Sequence, residues 1–224
     1  NKAATIISDR NKVLRSRQLP MNFMTAYDNV ASAALRGAID KAIEYSAGNI
    51  PNLGARVALI VDNSGSMGGK PAELASLFAS MIVGAHQDSQ VTTVVFANQA
   101  VEIKGSANRH SMSSAIRNSR IGGGTNLQSA LTLLHGKQFD AIFVLSDGDV
   151  DKTQLRQCNK LGGKDAIKVI FNFSASETTP FREDNSFFIT GLSPKVFTYL
   201  KYAGQVDGIS GILSTGYNQF QRVA

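Results

Sequence analysis

Short, continuous apolar runs alternate with helical periodicities over most of this chain. Val57-Ala58-Leu59-Ile60-Val61, Val91 to Phe96, Phe139 to Leu145 and Ile167 to Phe173 are rich in β-branched and aromatic residues, which predicts strands buried on both faces. Between them apolar residues recur at three- and four-residue spacing. Leu74, Leu77, Phe78, Met81 and Ile82 mark a helix from about Pro71 to Gly84, a short helix follows over 111–118, Leu127, Ala130, Leu131 and Leu134 mark another, and a further one covers 152–161. This alternation predicts an α/β domain over about residues 54–204, doubly wound, with a mostly parallel sheet and helices on both faces. Val101-Glu102-Ile103 follows its neighbour through Asn98-Gln99 and predicts a short antiparallel edge strand. Phe187 to Ile189 closes the sheet, and Ser193-Pro194 starts a last helix that turns Val196, Phe197 and Leu200 inward.

Upstream the pattern changes. Residues 21–46 read as one long helix with Phe23, Tyr27, Val30, Ala34, Ala38, Ala42 and Tyr45 on one side, widened by Leu35, Ile39 and Ile43. A stripe that wide is covered on more than one face, by the following domain or by a partner. Gly48 to Gly54 is a breaker-rich linker that stops it. Residues 1–20 carry Lys2, Arg10, Lys12, Arg15 and Arg17 against Asp9 alone, so they either grip phosphates or form a solvated lead into the helix. Residues 1–53 are thus a basic, helical N-terminal segment, and the Gly-, Ser- and Asn-rich tail at 205–224 offers little core.

Composition narrows the classes. The chain has 224 residues, 43% of them hydrophobic, enough to fill a core. A net charge of +6, from 23 basic and 17 acidic residues, allows a polyanionic partner without demanding one. One cysteine, Cys158, excludes an intrachain disulfide and fits a reducing compartment. No apolar run reaches the roughly 18 residues of a membrane span, and the N-terminus has no signal-peptide core. These features predict a soluble, cytoplasmic protein.

The chemistry sits where the strands end. If the strands are parallel, Asp62-Asn63-Ser64-Gly65-Ser66, Gly124-Thr125-Asn126 and Ser146-Asp147 converge on one sheet edge. Asp62, Ser64, Ser66, Thr125 and Asp147 then form an all-oxygen set of two carboxylates and three hydroxyls, which suits a hard divalent cation such as Mg²⁺. Neutral hydroxyls leave such an ion electron-poor, so it draws an anionic oxygen from outside.

These residues resemble the metal-ion-dependent adhesion site of von Willebrand factor A domains: Asp-x-Ser-x-Ser, a distant Thr and a distant Asp. The resemblance implies a Rossmann-like fold in which Ser64 and Ser66 touch Mg²⁺, or another divalent ion such as Mn²⁺ or Ca²⁺. It also implies that Thr125 binds directly or through water, and that Asp62 and Asp147 act through water. The segments SRQLPMNFMTAYDNV, AGNIPNLGARVALIVDNSGSM and GLSPKVFTYL, spanning about 8–203, further resemble the C-terminal half of Ro autoantigen (TROVE) proteins. That family binds small non-coding RNAs and the single-stranded ends of misfolded RNAs with a ring of helical repeats closed by an A domain. The N-terminal segment here corresponds to at most the last helix or two of that ring.

Two rival readings remain at this stage. Ser64 to Pro71 looks superficially like a phosphate loop, but that motif needs Gly where Ser64 stands and Ser or Thr where Pro71 stands. His86, His110 and His135 fall in or beside helices away from the edge, so no general base is evident and a non-enzymatic role is expected. Asp149 and Asp151 serve either a metal or turn and helix-end chemistry. The other rival is protein adhesion, in which the metal takes a partner's Asp or Glu carboxylate. RNA instead calls on basic groups: Arg10, Lys12, Arg15 and Arg17, and near the edge Arg109, Arg117 and Arg120, which are otherwise plain solvated residues.

Overall fold

A computed structural model describes residues 2–51, 53–86, 90–119, 121–174, 186–191 and 196. Among these residues the frame is a six-stranded sheet in the order β3-β2-β1-β4-β5-β6. The strands are β1 (Val57–Asp62), β2 (Val91–Phe96), β3 (Ala100–Ile103), β4 (Phe139–Ser146), β5 (Gly162–Asn172) and β6 (Ser186–Thr190). Only the β2–β3 pair is antiparallel; β1 pairs in parallel with both β2 and β4, and β4–β5 and β5–β6 are parallel. From β1 the chain runs one way to β2 and β3, then returns to β4 and runs the other way. The carboxyl ends of β1 and β4 therefore flank the switch point, where open α/β sheets bind ligands.

The side-chain alternation of strands sorts the core into two layers. Val57, Leu59 and Val61 face α5 (Lys70–Ala85) and α6 (Arg109–Arg117) together with Phe143, Val169 and Phe171. Ala58 and Ile60 face α7 (Leu127–Leu133) and α8 (Lys152–Gln157) with Val94, Phe96, Ile142 and Val144. Phe78 of α5 tilts against Phe143 and Phe171, with centroids 5.5 and 4.4 Å away. Helices thus cover both faces, as the alternating pattern predicts.

Upstream the structure departs from the sequence reading. The single helix expected over 21–46 is two, α3 (Pro20–Asp28) and α4 (Ala33–Ser46). Asn29 turns its amide back to the Thr25 carbonyl, Ser32 caps α4 by accepting from the Leu35 N–H, and Arg36 Nε donates to the Val30 carbonyl at 2.6 Å. Local polar groups satisfy the backbone across the break, so an apolar stripe running through it does not make one rod. Residues 2–16 are also helical, as α1 (Lys2–Ile7) and α2 (Arg10–Ser16), with Asp9 accepting from the Asn11 and Lys12 N–H groups as the cap. Their charges concealed a packed side: Val13 is buried, and Ile7, Leu19, Phe23, Tyr27 and Val30 pack against the core cluster that holds α4 and the sheet. The N-terminal segment and the sheet share one apolar core.

β5 starts at Gly162, ahead of the expected Ile167, and its register with β4 shifts between Phe139 and Ala141. The helix expected at 193–200 lies outside the described residues except for buried Val196, as does the whole tail at 205–224. Among the described residues no helix is long and apolar enough to cross a membrane.

Candidate metal centre

β1 ends in Asp62, which is 1% exposed. Its Oδ1 accepts from the Ser64 N–H at 2.8 Å and its Oδ2 from Ser146 Oγ at 2.9 Å. Burial raises its pKa above the ordinary 3.8, with a small further push from the Asp147 charge and opposition from the Ser64 and Ser146 hydrogen bonds. A carboxylate in that position is under-compensated, and a cation beside it would relieve the strain electrostatically. Asp147, also buried, accepts from the Asp149 N–H at 3.2 Å and lies 3.4 Å from Ser146 Oγ, whose proton goes to the nearer Asp62.

The Asp62–Ser64 contact folds the chain back on itself, and residues Gly65–Met67 follow as one 3-10 turn before α5. This brings the Ser64 and Ser66 hydroxyls within 3.2 Å of each other, Ser64 buried and Ser66 exposed. An octahedral ion with bonds of about 2.1 Å places neighbouring donors about 3.0 Å apart, so the two hydroxyls fit adjacent corners. Among the described residues no group of three or more His, Cys, Asp or Glu could hold an ion. An ion here would depend on the hydroxyls, with hard oxygen chemistry and an open side, and soft thiophilic metals do not fit the donor set.

Thr125 reaches the same edge through its loop. The Gly65 N–H donates to the Gly123 carbonyl at 2.9 Å, the Gln99 N–H to the Ile121 carbonyl and the Asn126 N–H to the Ala97 carbonyl. The glycines are required for this approach: a Cβ on Gly124 would stand 2.0 Å from Asn98 Oδ1, and Gly122 has φ +90° against the same side chain. The three loops named from sequence thus meet at the switch point.

Other residues fall differently. Ser146, which the sequence reading passed over, links both acids, and Ser directly before Asp at a strand end was its only local signal. Asp151 caps α8 by accepting from the Gln154 N–H, while Asp149 is exposed. His86 is buried at the far end of α5, where Nε2 accepts from the Leu53 N–H and Nδ1 therefore donates to the Ile82 carbonyl. His110 lies 3.4 Å from Asp40, and His135 is exposed. Of the basic candidates, Arg10, Lys12, Arg15 and Arg17 are exposed on or just after α2, and Arg117 is exposed in the last turn of α6. Arg109 is withdrawn instead: it stands over the Tyr27 ring at 4.1 Å and pairs with Asp40. Arg120 lies outside the described residues.

Residues 57–149 match the von Willebrand factor type A domain family. Comparison with curated protein sequences gives no significant match. Among solved structures, the crystal structure of the Deinococcus radiodurans Ro (RSR) protein superposes with a TM-score of 0.71 at 15% identity, covering 91% of this chain and 47% of that one. The chain therefore spans about half the length of that protein, and at this identity the likeness is one of fold. The matched span runs from β1 past the carboxyl end of β4 and contains the Asp-x-Ser-x-Ser loop at the switch point, so this part of the chain is similar to a von Willebrand factor type A domain.

Proposed function

We propose that this chain is a non-catalytic, divalent-metal-dependent recognition module of a Ro-like protein, and that its ligand is RNA. The observation that carries the reading is the pair of hydroxyls, Ser64 and Ser66, 3.2 Å apart beside the buried carboxylates of Asp62 and Asp147. Ser64, Ser66 and Thr125 would hold the ion, Mg²⁺ or another hard cation such as Mn²⁺ or Ca²⁺, and the two acids would orient its waters. Bound there, a cation would supply positive charge for an anionic oxygen of the ligand. Asp62 fixes the loop through the Ser64 N–H, and Ser146 orients Asp62 by donating to its other oxygen. Exposed Arg117, together with Arg10, Lys12, Arg15 and Arg17, gives the surface the charge that a phosphate backbone takes. The non-catalytic reading draws on the histidines: His86 is packed at the far end of α5, His110 pairs with Asp40, and His135 is exposed in the turn after α7.

The test is calorimetric titration of the intact chain with Mg²⁺ and Mn²⁺, then with single-stranded RNA in Mg²⁺ and in chelator. The expected result is saturable cation binding, lost in Ser64→Ala with Ser66→Ala, and RNA affinity that needs the cation and falls steeply with salt through counterion release. Equal RNA affinity in chelator overturns the metal dependence. A flat salt response, with binding instead to an acidic peptide, replaces RNA by a protein carboxylate as ligand.

A further inference from the structure

Asn63, the residue between Asp62 and Ser64, points away from the ion-facing hydroxyls. Its backbone N–H donates to the Phe96 carbonyl at 2.8 Å, and its side-chain Nδ2 donates to the Ile116 carbonyl at 3.1 Å and to Ser119 Oγ at 3.2 Å. Those acceptors lie at the C-terminal end of α6, where the Ile116 carbonyl also accepts from the Ser119 N–H and Oγ, so Asn63 joins a local cap on the helix end. The metal loop thus holds one end of α6. Met112 and Ile116 bury the middle of the helix in the core it shares with α5 and the sheet.

The other end of α6 is held by the N-terminal helices. Arg109, its first residue, donates through Nε to Asp40 Oδ1 of α4 at 3.0 Å, with Nη2 2.9 Å from the same oxygen. Its Nη1 meets Met24 Sδ of α3 at 3.4 Å, and its guanidinium stacks 4.1 Å from the centroid of the Tyr27 ring. With side-chain exposures of 16% for Arg109 and 22% for Asp40, this pair is partly desolvated, unlike the exposed pairs elsewhere on the surface. A single nine-residue helix therefore connects the Asp-x-Ser-x-Ser loop to the α3–α4 hairpin by polar contacts at both ends.

We propose that α6 is a strut that couples cation binding at the Ser64–Ser66 loop to the docking of α3 and α4, an inference that rests on the metal reading above. The two hydroxyls stand 3.2 Å apart on the same segment as Asn63. An ion held by both restrains that 62–66 segment, and Asn63 carries the change to the end of α6. A short helix packed along its middle moves as a body, so the change reaches Arg109 and its partners on α3 and α4. Coupling of this kind is reciprocal: loosening the Arg109–Asp40–Tyr27 clasp must weaken cation binding by the factor by which the cation tightens the clasp. Occupancy of the site is then communicated to the side of the molecule that α3 and α4 form.

The test uses the intact chain. Mn²⁺ affinity is measured by calorimetry for the unmodified protein and for Asn63→Ala, Asp40→Asn, Arg109→Lys and Tyr27→Leu, with circular dichroism to establish folding. Hydrogen exchange at 20–46 is followed with and without Mn²⁺ in the unmodified protein. The expected result is weaker Mn²⁺ binding by about fivefold or more in Asn63→Ala and in at least one folded clasp variant. Slower exchange over α3 and α4 when Mn²⁺ is present is expected with it, a readout that a merely structural clasp would not move. Unchanged Mn²⁺ affinity in the folded clasp variants, with exchange at 20–46 indifferent to Mn²⁺, overturns the coupling while leaving the metal reading intact. Failure of the unmodified chain to bind Mn²⁺ overturns both. If every clasp variant unfolds, the exchange measurement on the unmodified chain decides alone.

Discussion

Ser146 Oγ donates to Asp62 Oδ2 at 2.9 Å, joining the carboxyl ends of two adjacent parallel strands whose residues lie 84 positions apart in sequence. The same oxygen accepts from the Gly148 N–H and stands 3.4 Å from Asp147 Oδ1. The hydroxyl's one proton therefore orients Asp62, and its oxygen holds the backbone turn that carries Asp147. Ser146→Ala leaves a buried carboxylate short of a donor, at a cost of about 1–3 kcal/mol. Chemical denaturation should register that loss, and calorimetry a weaker divalent affinity with it. A variant as stable as its parent would mean that the contact contributes nothing.

Asp62→Asn separates the cost of the buried charge from its use. A carboxyl whose folded pKa is raised contributes stability that is complete below its unfolded value of 3.8 and lost as pH rises through the raised value. At neutral pH the metal-free chain carries that charge as a destabilising feature. Asn keeps an acceptor for the Ser64 N–H and removes the charge, so the variant is expected to melt at or above the parental temperature in chelator. It should gain nothing from added Mg²⁺. A lower melting temperature in chelator contradicts this account of the site.

Gly124→Ala tests the approach of the Thr125 loop. The added Cβ meets Asn98 Oδ1 at 2.0 Å, so the loop or the asparagine must move. Such overpacking costs about 1–3 kcal/mol. Because the loop also contacts Gly65, divalent affinity is expected to fall as well. Asn98→Ala in the same chain should restore much of it, and the absence of rescue would show that the clash is not the cause.

Asp140→Ala serves as a control at the opposite end of the sheet. Asp140 Oδ2 accepts from the Ala55 and Arg56 N–H groups at 2.9 Å each, anchoring the start of β1. The Arg56 ion pair at 3.3 Å is largely exposed and adds little. A loss of about 1 kcal/mol is expected from the two backbone contacts, with divalent affinity unchanged. A change in that affinity would link the two ends of the sheet.

Cys158 should be inert in the folded chain. Burial pushes its thiol up to about 12, against an ordinary value of 9.0. Alkylation by iodoacetamide at pH 8 is expected only after unfolding. Because the unfolded thiol ionises first, stability from this group is complete below pH 9 and declines as pH rises toward 12. Rapid labelling of the native protein would contradict its burial.

Periodicity alone determined the strands, the helices over both faces and the three loops that carry Asp62, Thr125 and Asp147. The physical reason is that alternation and three-to-four spacing are local consequences of burying one side of a strand or helix. Parallel pairing then leaves polar strand ends nowhere to go but one edge. The break at Asn29–Ser32 was missed because an apolar stripe continues through it while capping contacts, which are equally local but polar, end one helix and begin the next. Within the helical N-terminal segment the two helices at 2–16 had no bounds in the sequence reading, because charge outweighed a sparse apolar side that only α4 makes useful. The remaining links belong to the tertiary structure: Ser146 to Asp62 across 84 positions, Asn63 to Ile116 across 53 and Arg109 to Asp40 across 69. Each joins side chains common at any surface, and no nearby residue marks the partner. The sequence thus determined which loops arrive at the sheet edge, and the packing of distant elements decided what orients their side chains and what holds the Asp62–Ser66 loop in place.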